Sequence, residues 1–259
     1  MRRVVVKIGT RVLARKTGRP DTRCMRNLAR ELAAMQKSGH EVLVVTSGAI
    51  GAGMEALGMT KRPERLPDLQ MAAAVGQTKL MSCYDRIFSE LGCKIGQVLL
   101  THDDFQHNIR LTNARRTLEN LVKNEVIPII NENDVVADEE IKADIALGDN
   151  DLLASLLVKL VRADLLIMLS TVDGIRHFDK SGRSTRIRYL ESITSKTYSM
   201  VTATKSHLSK GGMSSKLRAA QSVSKAGCAA IIANGRQPGI LAHIMNGDDV
   251  GTMILASGL

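Results

Sequence analysis

Between Glu132 and Asp151, eight carboxylates face one lysine, Lys142, so that window carries −7 in a chain of formal net charge +10. The remaining residues, 35 basic and 18 acidic, carry +17. The order of residues in the window is as telling as the charge. A strand-like VIPIIN run delivers Asn131, Glu132, Asn133 and Asp134 in succession, and Gly148, Asp149, Asn150 and Asp151 (GDND) open a helical pattern. Open α/β sheets place ligands at strand ends and helix starts of this kind. Carboxylates and amides there can grip a substrate ammonium, hold a metal ion or orient catalytic lysines. A solvated acidic loop is the plain alternative, and the alternation of Asn with Asp speaks against it.

Positive and glycine-rich segments supply a complementary chemistry. Lys7 stands in the apolar run VVVKI, beside Gly9 and Thr10. A lysine inside a buried strand is costly unless it emerges to meet a charge. At the carboxyl end of a first parallel strand it can reach a phosphate, or snorkel to water. Ser47, Gly48 and Ala49 begin the run SGAIGAG after a second apolar strand. Small residues there let backbone N–H groups approach an anion closely, or let a helix pack closely on the sheet. The run matches neither GxxxxGK[ST] nor GxGxxG. Lys210, Gly211, Gly212, Met213 and Lys216 lie in SKGGMSSK at the start of a helical pattern, a composition suited to phosphate.

The elements that would position these groups alternate strand with helix. Strands are expected at Arg2–Ile8, Glu41–Thr46, Lys94–Leu100, Val126–Ile130, Asp164–Ser170, Cys228–Ala233 and Gly251–Leu255. Asp21 reads as the N-cap of a helix through Ser38, with Gly39 as its stop. Further helices are expected at Pro67–Leu91, with Met71, Val75, Leu80 and Ile87 as core, and at Leu111–Lys123, from GDND to about Arg162, and from SKGGMSSK to about Ala226. Ile175–Tyr189 reads as a projecting hairpin. The fold class is therefore α/β, a three-layer αβα sandwich around a mainly parallel sheet, in one domain with two lobes (about 1–160 and 161–259).

Composition narrows the function. The chain has 259 residues, 44% of them hydrophobic, enough for a full core. No apolar run approaches the ~18 residues of a membrane helix, so no membrane partner is expected and a soluble, cytoplasmic protein is. Four dispersed cysteines make no CxxC pair, which indicates free thiols and no structural zinc site. Six aromatics without tryptophan give few stacking platforms, so nucleic acid is not the expected partner despite the basic charge.

VVKIGT at 5–10, VTSGAIGAG at 45–53, AAAVGQ at 72–77, INEND at 130–134, GDND at 148–151 and GGMSSK at 211–216 occur in one order. Together they resemble the amino acid kinase family over essentially the whole chain, with INEND followed by GDND the discriminating pair. The resemblance implies phosphoryl transfer from ATP with Mg2+ to the γ-carboxylate of L-glutamate, committing it to proline synthesis. It implies that Lys7 and Lys216 stabilise the transferring phosphoryl group and that Asp151 orients them. Ser47, Gly48, Ala49, Asn131, Asp134, Asp149 and Asn150 would then serve glutamate. Gly9, Ser170, Thr171, Lys210, Gly211, Gly212 and Met213 would join the two lysines at the nucleotide.

The resemblance further implies a homo-oligomer, dimer or tetramer, and feedback inhibition by proline. Ser170-Thr171 depart from the family's usual Thr-Asp pair, Lys210 replaces a small hydroxyl residue, and the 141–148 stretch is a few residues longer than usual. The chain ends at Leu259 without the C-terminal PUA domain that many bacterial members carry. A kinase for N-acetylglutamate or aspartate, and a regulatory homologue with weakened catalysis, stand as the alternatives. Asp134 opposes N-acetylglutamate, since an acetylated amine needs no carboxylate partner.

Overall fold

A computed structural model of the chain describes residues 1–15, 19–136, 150–178, 183–202 and 210–257. Its central sheet contains β1 (Arg3–Ile8), β2 (Glu41–Val45), β3 (Lys94–Leu100), β4 (Val126–Glu132), β5 (Leu165–Ser170), β8 (Tyr189–Leu190), β9 (Ala229–Asn234) and β10 (Gly251–Ile254). The order is β3-β4-β2-β1-β5-β9-β10-β8, and neighbours run parallel except β9 with β10. A separate antiparallel pair, β6 (Arg176–Phe178) and β7 (Ser184–Arg186), is the hairpin expected between 175 and 189.

Runs such as RVVVKI and LLIMLS are buried on both faces, as parallel strands between two helical layers must be. Alternation then assigns the sides. Val4, Val6 and Ile8 enter one core with α1 (Thr10–Leu13), α2 (Thr22–Lys37), α3 (Ala49–Ala56), α4 (Leu66–Glu90) and α9 (Ile240–Asn246). Val5 enters the other, with α5 (Asn108–Lys123), α6 (Asn150–Val161), α7 (Ser195–Thr202) and α8 (Lys210–Ser224). Lys7 shares the parity of Val5, so β1 turns it toward the layer holding α6 and α8.

The chain leaves β1 for β2 on one side and returns to β5 on the other. That reversal opens a crevice at the carboxyl ends of these strands. Asp21 caps α2 as expected, accepting a hydrogen bond from the Cys24 N–H at 3.1 Å.

Small residues build the contact beneath one wall of this crevice. A Cβ on Gly53 would lie 1.7 Å from the Ala72 carbonyl oxygen, and one on Gly76 would lie 1.7 Å from that of Ala49. α3 and α4 therefore touch backbone to backbone, and SGAIGAG packs helix on helix rather than helix on sheet. This contact corrects the expected face of α4. Ala72, Ala73, Gly76 and Leu80 are buried, whereas Met71 is 44% exposed and Val75 only partly buried. α5 begins at Asn108, ahead of the expected Leu111. The short helices α1, α7 and α9 carry too few turns for their periodicity to stand out.

Alanine is a better helix former than glycine by about 1 kcal/mol. At Gly76 the overlap outweighs that gain, because α3 and α4 would have to move apart. Gly76→Ala is expected to lose about 2 kcal/mol or more of stability. Urea unfolding followed by circular dichroism measures this, and an unchanged midpoint would contradict the backbone contact.

Candidate active site

Three elements that are distant in sequence bring their charges together at the crevice. Lys7 is the penultimate residue of β1, Asp151 is the second residue of α6, and Lys216 lies in the second turn of α8. Their exposures are 6%, 1% and 8%. The Lys7 Nζ is 2.7 Å from Asp151 Oδ1, and the Lys216 Nζ is 2.9 Å from Asp151 Oδ2. Ser215 Oγ also donates to Asp151 Oδ2 at 2.7 Å, while Lys216 Nζ donates to the Gly212 carbonyl at 3.1 Å.

One carboxylate thus spaces and aims two ammonium groups, and the set keeps a net charge of +1. Burial alone would raise the Asp151 pKa, but the charges of Lys7 and Lys216 overrule it and hold the carboxyl well below the usual range. Gly9 allows the close passage of the chain beside Lys7. A Cβ there would stand 3.2 Å from the Leu169 carbonyl oxygen and 3.9 Å from the Lys7 Nζ.

A second cluster adjoins the first through the peptide bond between Asn150 and Asp151. The Asn150 side-chain NH2 donates to the Thr46 carbonyl at 2.7 Å, to Asn131 Oδ1 at 3.1 Å and to Ser47 Oγ at 3.2 Å. Ser47 Oγ donates to the Ile8 carbonyl at 3.0 Å, and the Asn131 NH2 donates to Gln77 Oε1 at 2.8 Å. The ends of β1, β2 and β4 are thereby tied to the start of α6. Asn150 Oδ1 is buried with no hydrogen-bond donor among the described residues.

Gly48 caps α3 in the left-handed region (φ +105°), and no side chain caps that helix, which leaves its first N–H groups toward the cleft. Ser47, Gly48, Ala49, Asn131, Glu132, Asp134 and Asn150 line one cleft, and Thr10 and Arg62 line it with them.

The residues that the resemblance assigns to the nucleotide gather at the same end of the sheet. Ser170 ends β5 opposite Asn234 of β9, with Thr171 exposed just beyond it. Gly212 lies in the first turn of α8, and a Cβ there would meet open space. Met213 packs against the second core. Lys210 and Gly211 begin α8, and the Lys210 side chain lies outside the described residues. Asp149 and the 141–148 stretch lie outside the described residues.

Sequence reasoning missed Ser215, Gln77 and Arg62. Ser215 and Gln77 sit inside motifs that were read, and hydroxyl or amide character was the signal available. Arg62 carries no signal that separates it from a solvated charge.

Because the folded Asp151 carboxyl titrates below its unfolded value near 3.9, its contribution to stability is complete above that pH. The contribution is lost as pH falls from ~4 toward the depressed folded value. Acid unfolding of Asp151→Asn should therefore show a weaker pH dependence below ~4 than the parent chain. Equal slopes would contradict the paired carboxylate.

The model of the amino acid kinase family matches residues 2–234. Glutamate 5-kinase of Citrifermentans bemidjiense is 41% identical over 260 residues, covering 100% of this chain and 69% of that protein. Glutamate 5-kinase of Lactiplantibacillus plantarum is 39% identical over 254 residues, covering 97% of this chain and 96% of that one. Among solved structures, carbamate kinase from Giardia lamblia bound to AMP-PNP superposes with a TM-score of 0.67 at 16% identity, covering 98% of both chains. UMP kinase from Bacillus anthracis gives 0.64 at 16% identity, covering 99% of this chain and 97% of that one. The last two share the fold. With its family model, its relatives at 39% and 41% identity and its sheet in agreement, the chain belongs to the amino acid kinase family.

Proposed function

We propose that the chain phosphorylates the γ-carboxylate of L-glutamate with ATP, giving γ-glutamyl phosphate for proline synthesis. The observation that carries this reading is the buried Lys7–Asp151–Lys216 set beside a polar cleft lined by Asp134. The name shared by the relatives at about 40% identity supports the choice of substrate.

The chemistry requires little covalent help from the protein. An ionised carboxylate is already a nucleophile at neutral pH, so no general base is needed. A γ-carboxylate oxygen attacks the γ-phosphorus of ATP, the bond from that phosphorus to the β,γ-bridging oxygen breaks, and ADP leaves. No proton moves. The barrier lies in bringing two anions together and in the charge on the transferring group, and fixed ammonium groups lower both. Lys7 and Lys216 would contact that group, and Asp151 would hold them at their spacing.

Asp134 would take the substrate ammonium, Ser47 and Asn150 would hold the substrate, and Gly48 and Ala49 would offer backbone N–H groups. Asn131 braces Asn150. The β1–β4 half, about 1–160, would carry glutamate, and the half from β5 onward, about 161–259, the nucleotide. Ser170, Thr171, Gly9 and the first turn of α8 (Lys210, Gly211, Gly212, Met213) would line the phosphates and nucleoside.

Among the described residues no three His, Cys, Asp or Glu side chains gather to hold a metal. A Mg2+ ion bound with the nucleotide would be carried mainly on phosphate oxygens and water, where it would neutralise phosphate charge. Among the described residues no helix is long and apolar enough to cross a membrane. A homo-oligomer and feedback inhibition by proline belong to the same proposal.

Turnover with Mg-ATP, trapping the acyl phosphate as a hydroxamate, tests the reading. L-Glutamate should give hydroxamate while N-acetylglutamate and aspartate do not. Lys216→Ala should lose about 100-fold or more in kcat. Hydroxamate from N-acetylglutamate instead would overturn the assignment, as would no turnover from a folded chain that binds ATP.

A further inference from the structure

We infer that Arg62 selects the substrate by pairing with the α-carboxylate of glutamate, a role that rests on the reading above. The γ-carboxylate belongs at the end of the cleft where Ser47 and Asn150 adjoin Asp151, because the phosphoryl clamp is there. The rest of an α-amino acid then presents an ammonium and a second carboxylate to the remaining lining. The charged side chains of that lining are Glu132, Asp134 and Arg62. The acidic pair suits the ammonium. Arg62 is the cation of the lining, so the second carboxylate has one counter-charge to meet.

The state of Arg62 fits that task. Lys7 and Lys216 are committed to Asp151, and Arg65 lies 3.7 Å from Asp68. Arg62 forms no ion pair with any described residue, and its side chain is exposed at the cleft. It also stands on a well-anchored connection. The segment joins α3 to α4, whose backbones are in contact at Gly53 and Gly76. Its first turn is closed by the Leu57 N–H to Gly53 carbonyl bond at 2.9 Å and the Met59 N–H to Met54 carbonyl bond at 2.8 Å. Pro63 follows Arg62 directly and restricts its backbone to extended conformations. Its guanidinium offers a planar two-point grip on a carboxylate, which a lysine does not.

The test compares L-glutamate with its α-amide, which keeps the γ-carboxylate and the ammonium and lacks only the α-charge. Parent, Arg62→Met and Arg62→Lys chains are assayed by hydroxamate formation at saturating Mg-ATP. Arg62→Met should raise the KM for glutamate roughly 10- to 100-fold, the range for losing a charge-assisted pair, with kcat within about threefold. Its kcat/KM for the α-amide should match the parent's, so the preference for glutamate collapses. Arg62→Lys should fall between the two.

An unchanged KM for glutamate in Arg62→Met overturns the role of Arg62 while leaving the kinase reading intact. An equal loss on both substrates also overturns it, because the effect would then not depend on the α-charge. A parent chain that gives hydroxamate from neither substrate overturns the kinase reading, and this inference falls with it. Thermal unfolding of each variant separates loss of fold from loss of recognition.

Discussion

A single carboxylate placed between two buried ammonium groups governs the rest of this structure. Two lysines that are nearly out of water would repel each other and lower each other's charge. Asp151 removes that conflict by taking one on each oxygen, and Ser215 completes the fork. Buried ion sets of this kind are poor sources of stability, since desolvation consumes much of their attraction. Their value here is positional. The set leaves one unit of positive charge fixed where an anion can approach, and little reorganisation is needed when charge develops.

The sheet exists in the form that this requirement demands. Lys7 reaches α6 and α8 because it shares the parity of Val5 in a strand covered on both faces. Shifting β1 by one residue would turn it toward α2 and α4. The reversal of strand order at β1 brings the ends of β2 and β4 beside it, and Asn150 fastens those ends to the residue next to Asp151. The polar cleft and the ionic set are therefore one construction. On the far wall, the glycine contacts of α3 and α4 hold the cleft lining to a width set by backbone atoms.

Much of this was legible in the residues. Apolar runs four to six residues long, separated by helical periods, mark a parallel sheet. Lys7, Asp151 and Lys216 each stand at a strand end or helix start among small residues, and the motif order names the family. Their meeting was implied by the family resemblance alone, because a separation of 65 positions between Asp151 and Lys216 carries no distance information by itself. Met71 was misread since large side chains were weighted as core, whereas the α3–α4 contact selects a stripe of alanine and glycine. Arg62 escaped notice because an exposed arginine in a polar connection looks the same whether it serves water or a substrate. Glutamate as the acceptor follows from relatives and from Asp134, and not from the shape of the sheet, which carbamate and UMP kinases share.

The most direct test of the account is steady-state turnover by Asp151→Asn at saturating Mg-ATP and varied L-glutamate, beside its unfolding curve. If Asp151 exists to aim two lysines at the transferring group, a folded Asp151→Asn chain should lose about 100-fold or more in kcat. The KM for L-glutamate should stay within about threefold, because the loss is confined to the transition state. A folded variant that keeps its kcat, or that loses only substrate affinity, would contradict the claim that this carboxylate organises the catalytic charge.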